Sequence, residues 1–240
     1  MSSIDQARQD LALAHRLAVR HELNEGVWNH ISLVSPENPD HLLISPGHTH
    51  WSLVRASNLA LMDQDGQFLS GERAPIRAGW IIHAPVHRIR RDAKCVVHVH
   101  SPYATALSIR KDVIFETRCS QQSAAFYNDV AYYEEYDGIL KGEDEGERMA
   151  AALGQKRVLI LRNHGVLIAG PTVSDVYMDL YQFERACMYQ ILAMTGGGQM
   201  QLISDEIAAA TGQHVKDGLY NRHFEGMRRW MQEIEPDYLT

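Results

Sequence analysis

Apolar residues recur along the chain with two different periods, which predict helices alternating with short strands. Leu11, Ala14 and Leu17 lie at helical spacing in the first predicted helix. This helix begins at Ser3, with Gln6 as its capping-box partner. Short aliphatic runs bounded by turn residues predict strands or strand-like elements, over 28–34, 41–44, 57–63, 94–100, 157–161 and 166–170.

Further helical stripes lie between and after these strands. They predict helices over 80–90, from Pro102 with Ser101 as cap, and over 147–153, 172–194, 204–212 and 215–234. Strands flanked by helices on both sides indicate an α/β fold with three α/β/α layers. Short hairpin-type connections predict a largely antiparallel central sheet. We expect one domain over residues 1–240, with a helical C-terminal extension over about 203–240.

The composition is that of a globular protein and excludes several function classes. With 240 residues and 45% hydrophobic content, the chain can bury a substantial core. A net charge of −7 argues against nucleic acid and anionic membranes as partners. The chain contains no apolar run of transmembrane length, and its first residues lack the features of a secretory signal. We therefore expect a cytoplasmic protein with reduced thiols at Cys95, Cys119 and Cys187.

Three histidines form the most informative pattern. His98 and His100 are two residues apart at the end of a predicted strand, so both side chains point to one face. His164 lies in the turn between two later strands. Three histidine ligands leave coordination positions open, which is typical of a catalytic metal site. We expect one divalent ion per chain, with zinc first and manganese, iron or cobalt as alternatives.

Several segments that surround these histidines resemble the class II aldolase/adducin family, over roughly residues 5 to 211. The matching segments are 28–32, 45–47, 91–100, 162–165 and 180–186. The similarity is closest to the adducin-like bacterial branch. The resemblance implies a class II aldolase-like fold, a metal-dependent lyase activity, and a homotetramer with active sites between subunits. It also places His98, His100 and His164 on the metal ligands of the family.

The chain departs from the sugar-phosphate aldolases of this family at two places. Gly79 takes the position of their acid/base Glu, four residues before His83, and glycine cannot transfer a proton. Of the phosphate-binding segments, only Asn29, Ser45 and Gly47 remain as plausible donors. A phosphate normally needs several backbone amides or cations. We therefore expect a non-phosphorylated small-molecule substrate.

These features predict a divalent-metal-dependent carbon–carbon lyase, a decarboxylase of a hydroxy- or keto-acid, including aromatic ones. Decarboxylation needs no base to remove a carbon-bound proton, but a proton must return to the carbon afterwards. Metal-bound water, His48 or His50, and a tyrosine of 132–136 are candidates for this step, and His50 and Tyr133 are the predicted catalytic residues. The predicted substrate-binding residues are Asn29, Ser45, Gly47 and Gln121.

Three alternatives remain open at this stage. The chain could retain aldolase chemistry on a small aldehyde or ketone, or use three histidines to hold Fe(II) as an oxygenase. It could also be a non-catalytic adducin-like binding module, although a scaffold has no physical need for three convergent imidazoles. For three other histidines we expect structural roles: His30 satisfied within its strand, and His83 and His87 packed or hydrogen-bonded on their helix.

Overall fold

A computed structural model describes residues 2–136, 138, 142–216 and 219–240, and its strands form one eight-stranded sheet. The strands are β1 His30–Val34, β2 Leu42–Ile44, β3 Ala60–Met62, β4 Phe68–Ser70, β5 Cys95–Val99, β6 Val130–Tyr133, β7 Val158–Leu161 and β8 Gly165–Gly170. Their order across the sheet is β4-β3-β2-β1-β5-β8-β7-β6. Every neighbouring pair is antiparallel except β6 and β7. The predicted, largely antiparallel sheet is confirmed.

Helices cover both faces of this sheet, which confirms the three-layer α/β/α prediction. The helices are α1 Ser3–Arg20, α2 Arg77–Ile89, α3 Pro102–Ser108, α4 Gln121–Ala124, α5 Glu143–Leu153, α6 Val173–Thr195, α7 Asp205–Lys216 and α8 Leu219–Ile234, with short 3-10 turns at Trp51–Leu53 and Pro236–Leu239. Helices α1, α3 and α6 pack on one face, and α2 and α5 pack on the other. Among the helices of the described ranges, none has the length and hydropathy required to cross a bilayer.

The central strand β5 shows how the sequence sorts its residues between the two layers. Cys95, Val97 and Val99 point into the larger core, which contains α1 and α6. Val96 points the other way, into the smaller core with α2 and α5. Successive side chains of a strand alternate between faces, so His98 lies on the α2 side with Val96. Because of this alternation, the side chain of His98 faces away from the larger core.

Two local predictions differ from the structure, and part of the sheet was not predicted. The cap of α1 is Ser2, not Ser3, and its capping-box partner is Asp5 instead of Gln6, because Ser2 is the residue with extended backbone. The predicted helix end at Gly212 is wrong, because α7 continues to Lys216. Gly212 instead lies close to α4, since a Cβ at this position would be 3.0 Å from the carbonyl oxygen of Ala124. Strand β6 was not predicted, since its residues are mostly half-buried and it forms the edge of the sheet.

The start of α3, directly after His100, is capped by a buried carboxylate of another helix instead of by the side chain of its own N-cap residue. Ser101 is the N-cap residue of α3, as predicted, but its hydroxyl makes no capping bond. It donates instead to Glu184 of α6 at 2.7 Å. The same carboxylate accepts the backbone N–H groups of Tyr103 and Ala104 at 2.7 and 2.9 Å. Glu184 therefore caps α3 from another helix and fixes the backbone beside the second histidine.

Candidate metal centre

The three histidines predicted as metal ligands lie together at one end of the sheet. His98 is the fourth residue of β5, His100 follows the strand, and His164 lies in the turn between β7 and β8. Strand β5 pairs with β8, which brings this turn to the end of β5. One ligand atom from each histidine can be chosen so that all three lie within 4.8 Å of one another. The Nε2 atoms of His98 and His100 are 3.1 Å apart.

The turn that carries His164 depends on two residues with special backbone requirements. Asn163 has a φ of 58°, in the left-handed region that Asn tolerates better than most residues. A Cβ on Gly165 would lie 2.4 Å from the carbonyl oxygen of Val99 and 3.0 Å from Cδ2 of His100. Glycine is therefore required for the β8 backbone to pass the His100 ring and place His164 opposite it.

Hydrogen bonds to the outer ring nitrogens orient two of the imidazoles. His98 donates from Nδ1 to the carbonyl oxygen of Val166 at 3.1 Å, and His100 donates from Nδ1 to Glu25 at 2.6 Å. Both Nε2 atoms are then lone-pair acceptors that face each other. This arrangement is repulsive unless a cation lies between them. Neighbouring ligands of a tetrahedral zinc ion, with Zn–N bonds of about 2.0–2.1 Å, are about 3.3 Å apart. The donor set therefore fits a divalent metal ion.

Burial keeps the imidazoles of His98 and His164 in the neutral form that binds metal. Desolvation, followed by the neighbouring His164 and His100, holds the pKa of His98 well below its usual value. For His164, burial and the nearby His100 lower the pKa to about 4. Protonation would place unpaired positive charges together in a buried site. At neutral pH each of these two rings is therefore uncharged and has one nitrogen whose lone pair can bind a metal ion.

A pocket of about 630 Å³ opens onto the three histidines. Trp28, His48, Arg77 and Tyr136 line it, and His30 forms part of its wall. Among the described residues that line this pocket, none is a carboxylate and Arg77 is the one permanent cation. The local charge therefore favours an anionic ligand.

Two of the predicted substrate-binding residues are engaged inside the fold. The Ser45 hydroxyl accepts the backbone N–H of Ile31 at 2.8 Å and contacts His15 Nε2 at 2.7 Å. The backbone N–H of Gly47 donates to the carbonyl oxygen of Ala74 at 3.1 Å, and a Cβ there would lie 2.5 Å from that oxygen. Neither residue lines the pocket. The structure therefore gives both residues a folding role.

The other two predicted substrate-binding residues have different positions. Asn29 is buried, and its Oδ1 accepts the backbone N–H of Glu25, the residue that binds His100. Asn29 thus supports the loop behind a candidate ligand, and its Nδ2 lacks a partner among the described residues. Gln121 begins α4, is exposed, and is not part of the pocket lining.

The two predicted catalytic residues lie outside the pocket, while near neighbours of each line it. His50 caps a 3-10 turn through contacts of its Nδ1 with Ser52. The Tyr133 hydroxyl lies between Arg148 and Glu135, at 3.2 Å from each. His48 and Tyr136 line the pocket instead. Loop geometry therefore decides which histidine and which tyrosine of these two segments reach the pocket.

Sequence reasoning missed Glu25 and misjudged His30. Glu25 follows the first helix and carries no recognisable pattern, and its partner His100 is 75 residues away. His83 and His87 bind the Ser32 hydroxyl at 2.6 and 2.7 Å, in agreement with their predicted structural role. For His30, by contrast, neither ring nitrogen has a hydrogen-bond partner among the described residues.

Comparisons with known proteins agree with this architecture. A family model described as "Class II Aldolase and Adducin N-terminal domain" matches residues 9–191. A crystal structure of an aldolase II superfamily protein from Pseudomonas syringae has a TM-score of 0.91 and 32% identity, covering 100% of this chain and 98% of that one. The L-fuculose 1-phosphate aldolase of Glaciozyma antarctica PI12 has a TM-score of 0.84 and 26% identity, covering 99% of this chain and 95% of that one.

A further relative combines two chemistries in its name. It is the 4-hydroxy-3-prenylphenylpyruvate oxygenase/4-hydroxy-3-prenylbenzoate synthase of Streptomyces roseochromogenus subsp. oscitans. This chain is 28% identical to it over 214 residues, which cover 87% of this chain and 76% of that protein.

Proposed function

Because the chain belongs to the class II aldolase and adducin family, we propose that it is a divalent-metal-dependent carbon–carbon lyase. The proposed reaction is decarboxylation of a non-phosphorylated hydroxy- or keto-acid. The observation that carries the proposal is the convergence of three imidazoles beside a pocket whose described lining contains no carboxylate.

The residues that would hold the metal ion are His98, His100 and His164. When bound, a divalent ion at this site supplies Lewis-acid stabilisation for an oxygen that gains negative charge during the reaction. Zinc is the ion that we propose first, since three histidines with an open position are a common catalytic zinc site. The hydrogen bonds that His98 and His100 donate to the Val166 carbonyl oxygen and to Glu25 would keep two of the ligands in place during turnover.

The glycine at the position of the family's acid/base Glu favours decarboxylation over aldol cleavage. Aldol chemistry needs a group that transfers a proton, and Gly79 supplies none. In decarboxylation the bond between the carboxylate carbon and its neighbour breaks, carbon dioxide leaves, and the electron pair is delocalised towards the adjacent carbonyl or phenolic oxygen. A proton must then be delivered to the carbon that lost carbon dioxide. His48 and Tyr136 line the pocket and are our candidates for this step.

The substrate is proposed to lack a phosphate. The Ser45 hydroxyl and the Gly47 amide already have partners within the fold. Arg77 is the one Lys or Arg among the described lining residues, and one cation suits a carboxylate better than a dianionic phosphate.

We also propose a homotetramer with active sites between subunits. The side chains of Trp28 and Tyr136 are 60% and 55% exposed although they lie at the pocket. Large exposed aromatic groups beside a site favour coverage by another protein surface. Sedimentation equilibrium would measure the mass, and a monomer at micromolar concentration would contradict this part of the proposal.

A second candidate is an Fe(II)-dependent oxygenase. The name of the Streptomyces relative includes oxygenase activity on an aromatic keto-acid, and imidazole ligands also suit iron. The same three histidines would hold the ion in either case, so the structure of the site favours neither metal.

The test loads the metal-free protein separately with zinc, manganese or Fe(II), and offers a panel of aromatic hydroxy- and keto-acids. Carbon dioxide release and oxygen uptake are recorded together, with His98→Ala as the inactive control and His214→Ala, on exposed α7, as the matched control. Carbon dioxide release without oxygen uptake supports the lyase. Release that requires both Fe(II) and oxygen supports the oxygenase. No metal-dependent turnover on any acid would refute both and favour a binding module.

A further inference from the structure

The ring of His30 occupies the space beside Gly79. A Cβ on Gly79 would lie 3.1 Å from Cδ2 and 3.2 Å from Cγ of His30. Both contacts are too short for a side chain to be added unless the ring moves. A side chain at position 79 would therefore crowd an imidazole at position 30, and the ring would have to shift by a few tenths of an ångström to admit it. The missing acid/base residue has not left a void, because another polar side chain fills its place.

This ring is part of the same pocket wall as the candidate metal ligands. His30 pairs with His98 across β1 and β5, and the two rings stack with centroids 5.4 Å apart and planes at 27°. Cross-strand partners point to the same face of a sheet. The His30 imidazole therefore lies directly beside the proposed position of the metal ion.

Behind His30, a chain of hydrogen bonds fixes the orientation of His83. His87 donates from Nδ1 to the Ala93 carbonyl oxygen at 2.9 Å, so its Nε2 accepts from the Ser32 hydroxyl. Ser32 must then accept from Nδ1 of His83, which leaves Nε2 of His83 as an acceptor. His30 contacts this ring edge to face, with centroids 5.3 Å apart. His30 is thus positioned by two packed rings.

Packing holds the His30 ring, but its hydrogen-bonding capacity is unused. The residue is 3% exposed, and neither Nδ1 nor Nε2 has a partner among the described residues. A buried donor or acceptor without a partner costs about 1–3 kcal/mol. A ligand in the pocket would supply the missing partner at no cost in side-chain ordering, since the ring is already fixed.

We propose that His30 is a substrate-contacting residue, whose imidazole forms a hydrogen bond with an oxygen of the bound acid beside the metal-chelating atoms. This inference rests on the proposed function and deepens it. Gly79 and His30 together replace an anionic group with a neutral one. An acid that carries its own negative charge can then approach the centre without repulsion from the wall, and Arg77 at the same pocket complements that charge. The pair therefore selects for hydroxy- or keto-acids over uncharged aldehydes and ketones.

The test measures binding of mandelate, a simple aromatic hydroxy-acid, to the zinc-loaded full chain by calorimetry. His30→Phe keeps the ring packing and removes both nitrogens. His30→Asn restores a donor and an acceptor in a smaller side chain. His214→Phe is the matched control, since His214 is exposed on α7. Zinc content and thermal unfolding are recorded for every variant, so that loss of binding can be separated from loss of the metal or of the fold.

We expect Kd for mandelate to rise about tenfold in His30→Phe, with zinc content unchanged, because one hydrogen bond to a charged oxygen is lost. In His30→Asn the rise should be about threefold or less. If His30→Phe does not fold, Gly79→Ala tests the same contact, since its methyl group would lie 3.1 Å from Cδ2 of His30 and displace the ring. It should also weaken mandelate binding while the zinc ion is retained.

Two results would overturn the inference. If zinc-loaded wild type binds mandelate and His30→Phe binds it within twofold, His30 does not contact the acid, while the proposed function stands. If zinc-loaded wild type does not bind mandelate at millimolar concentration, the inference is overturned, and the turnover measurements on the acid panel decide separately whether the proposed function stands.

Discussion

The contact between Glu25 and His100 allows a quantitative test of the metal centre. The Glu25 carboxylate accepts the Nδ1–H of His100 at 2.6 Å and so orients its Nε2 towards the other two histidines. Residues that orient a metal-bound histidine typically contribute 10–100-fold to metal affinity. Glu25 is 59% exposed, so water can replace part of its hydrogen bond and screens its charge. We therefore expect a loss of zinc affinity near the lower end of that range.

In numbers, Glu25→Gln should weaken zinc binding about three- to tenfold, because the amide oxygen still accepts the hydrogen bond without the charge. Glu25→Ala, which removes the acceptor, should weaken it about 10–30-fold. Zinc affinity is measured by competition with a chromophoric chelator at pH 7. The matched control is Glu22→Gln, which removes one negative charge from an exposed side chain three residues away.

The reasoning would be refuted if Glu25→Ala bound zinc within twofold of wild type. It would equally be refuted if Glu22→Gln lost as much affinity as Glu25→Gln, since the effect would then be one of net charge. A loss confined to the Glu25 variants, with unchanged thermal unfolding of the metal-free protein, would assign the effect to the orientation of His100.

Three further predictions follow from particular contacts. His98→Ala should reduce the zinc content, measured by elemental analysis, from about one ion per chain to near zero, since a two-histidine site binds zinc far more weakly; a variant that retains stoichiometric zinc would contradict the site. Gly165→Ala should destabilise the protein by about 1–3 kcal/mol, because its Cβ would lie 2.4 Å from the Val99 carbonyl oxygen. The control is Gly226→Ala in α8, where an added Cβ would meet open space. Equal unfolding midpoints of the two variants in denaturant would contradict the packing argument. Burial lowers the pKa of His15 to about 4, below the value of about 6.5 in the unfolded chain. The unfolded state thus binds more protons in this window, so the stability contributed by neutral His15 is complete above about pH 6.5 and is lost as the pH falls towards 4. Between pH 6.5 and 5 wild type should lose about 1.5 kcal/mol more than His15→Gln in denaturant unfolding, and parallel losses would exclude this role for His15.

Much of the fold and the convergence of the three histidines followed from sequence patterns. The alternation of residues in β5 places His98 on one face of the sheet, and spacing by two residues carries His100 to the same face. The turn between β7 and β8 was predicted from its flanking aliphatic runs, and the structure places His164 in it. Local periodicity fixes which side of a strand a residue occupies, and this is why it could identify the three histidines.

The remaining parts of the site depended on contacts between distant segments, for which the sequence has no local pattern. The partnership of Glu25 with His100 depends on how the loop after α1 packs against the end of β5. Ser45 was predicted to bind substrate, but its hydroxyl accepts the backbone N–H of Ile31 inside the fold. His48 and Tyr136, instead of His50 and Tyr133, line the pocket because loop geometry decides where each side chain lies.

The relation between His30 and Gly79 shows the same division. The sequence alone determined that Gly79 takes the position of the acid/base residue and that His30 lies within the matching segment 28–32. The tertiary structure decided that these are one feature, because the packing of α2 against β1 brings Gly79 to within van der Waals contact of the His30 ring. Side-chain periodicity is a property of one segment, whereas the composition of a pocket depends on which segments meet.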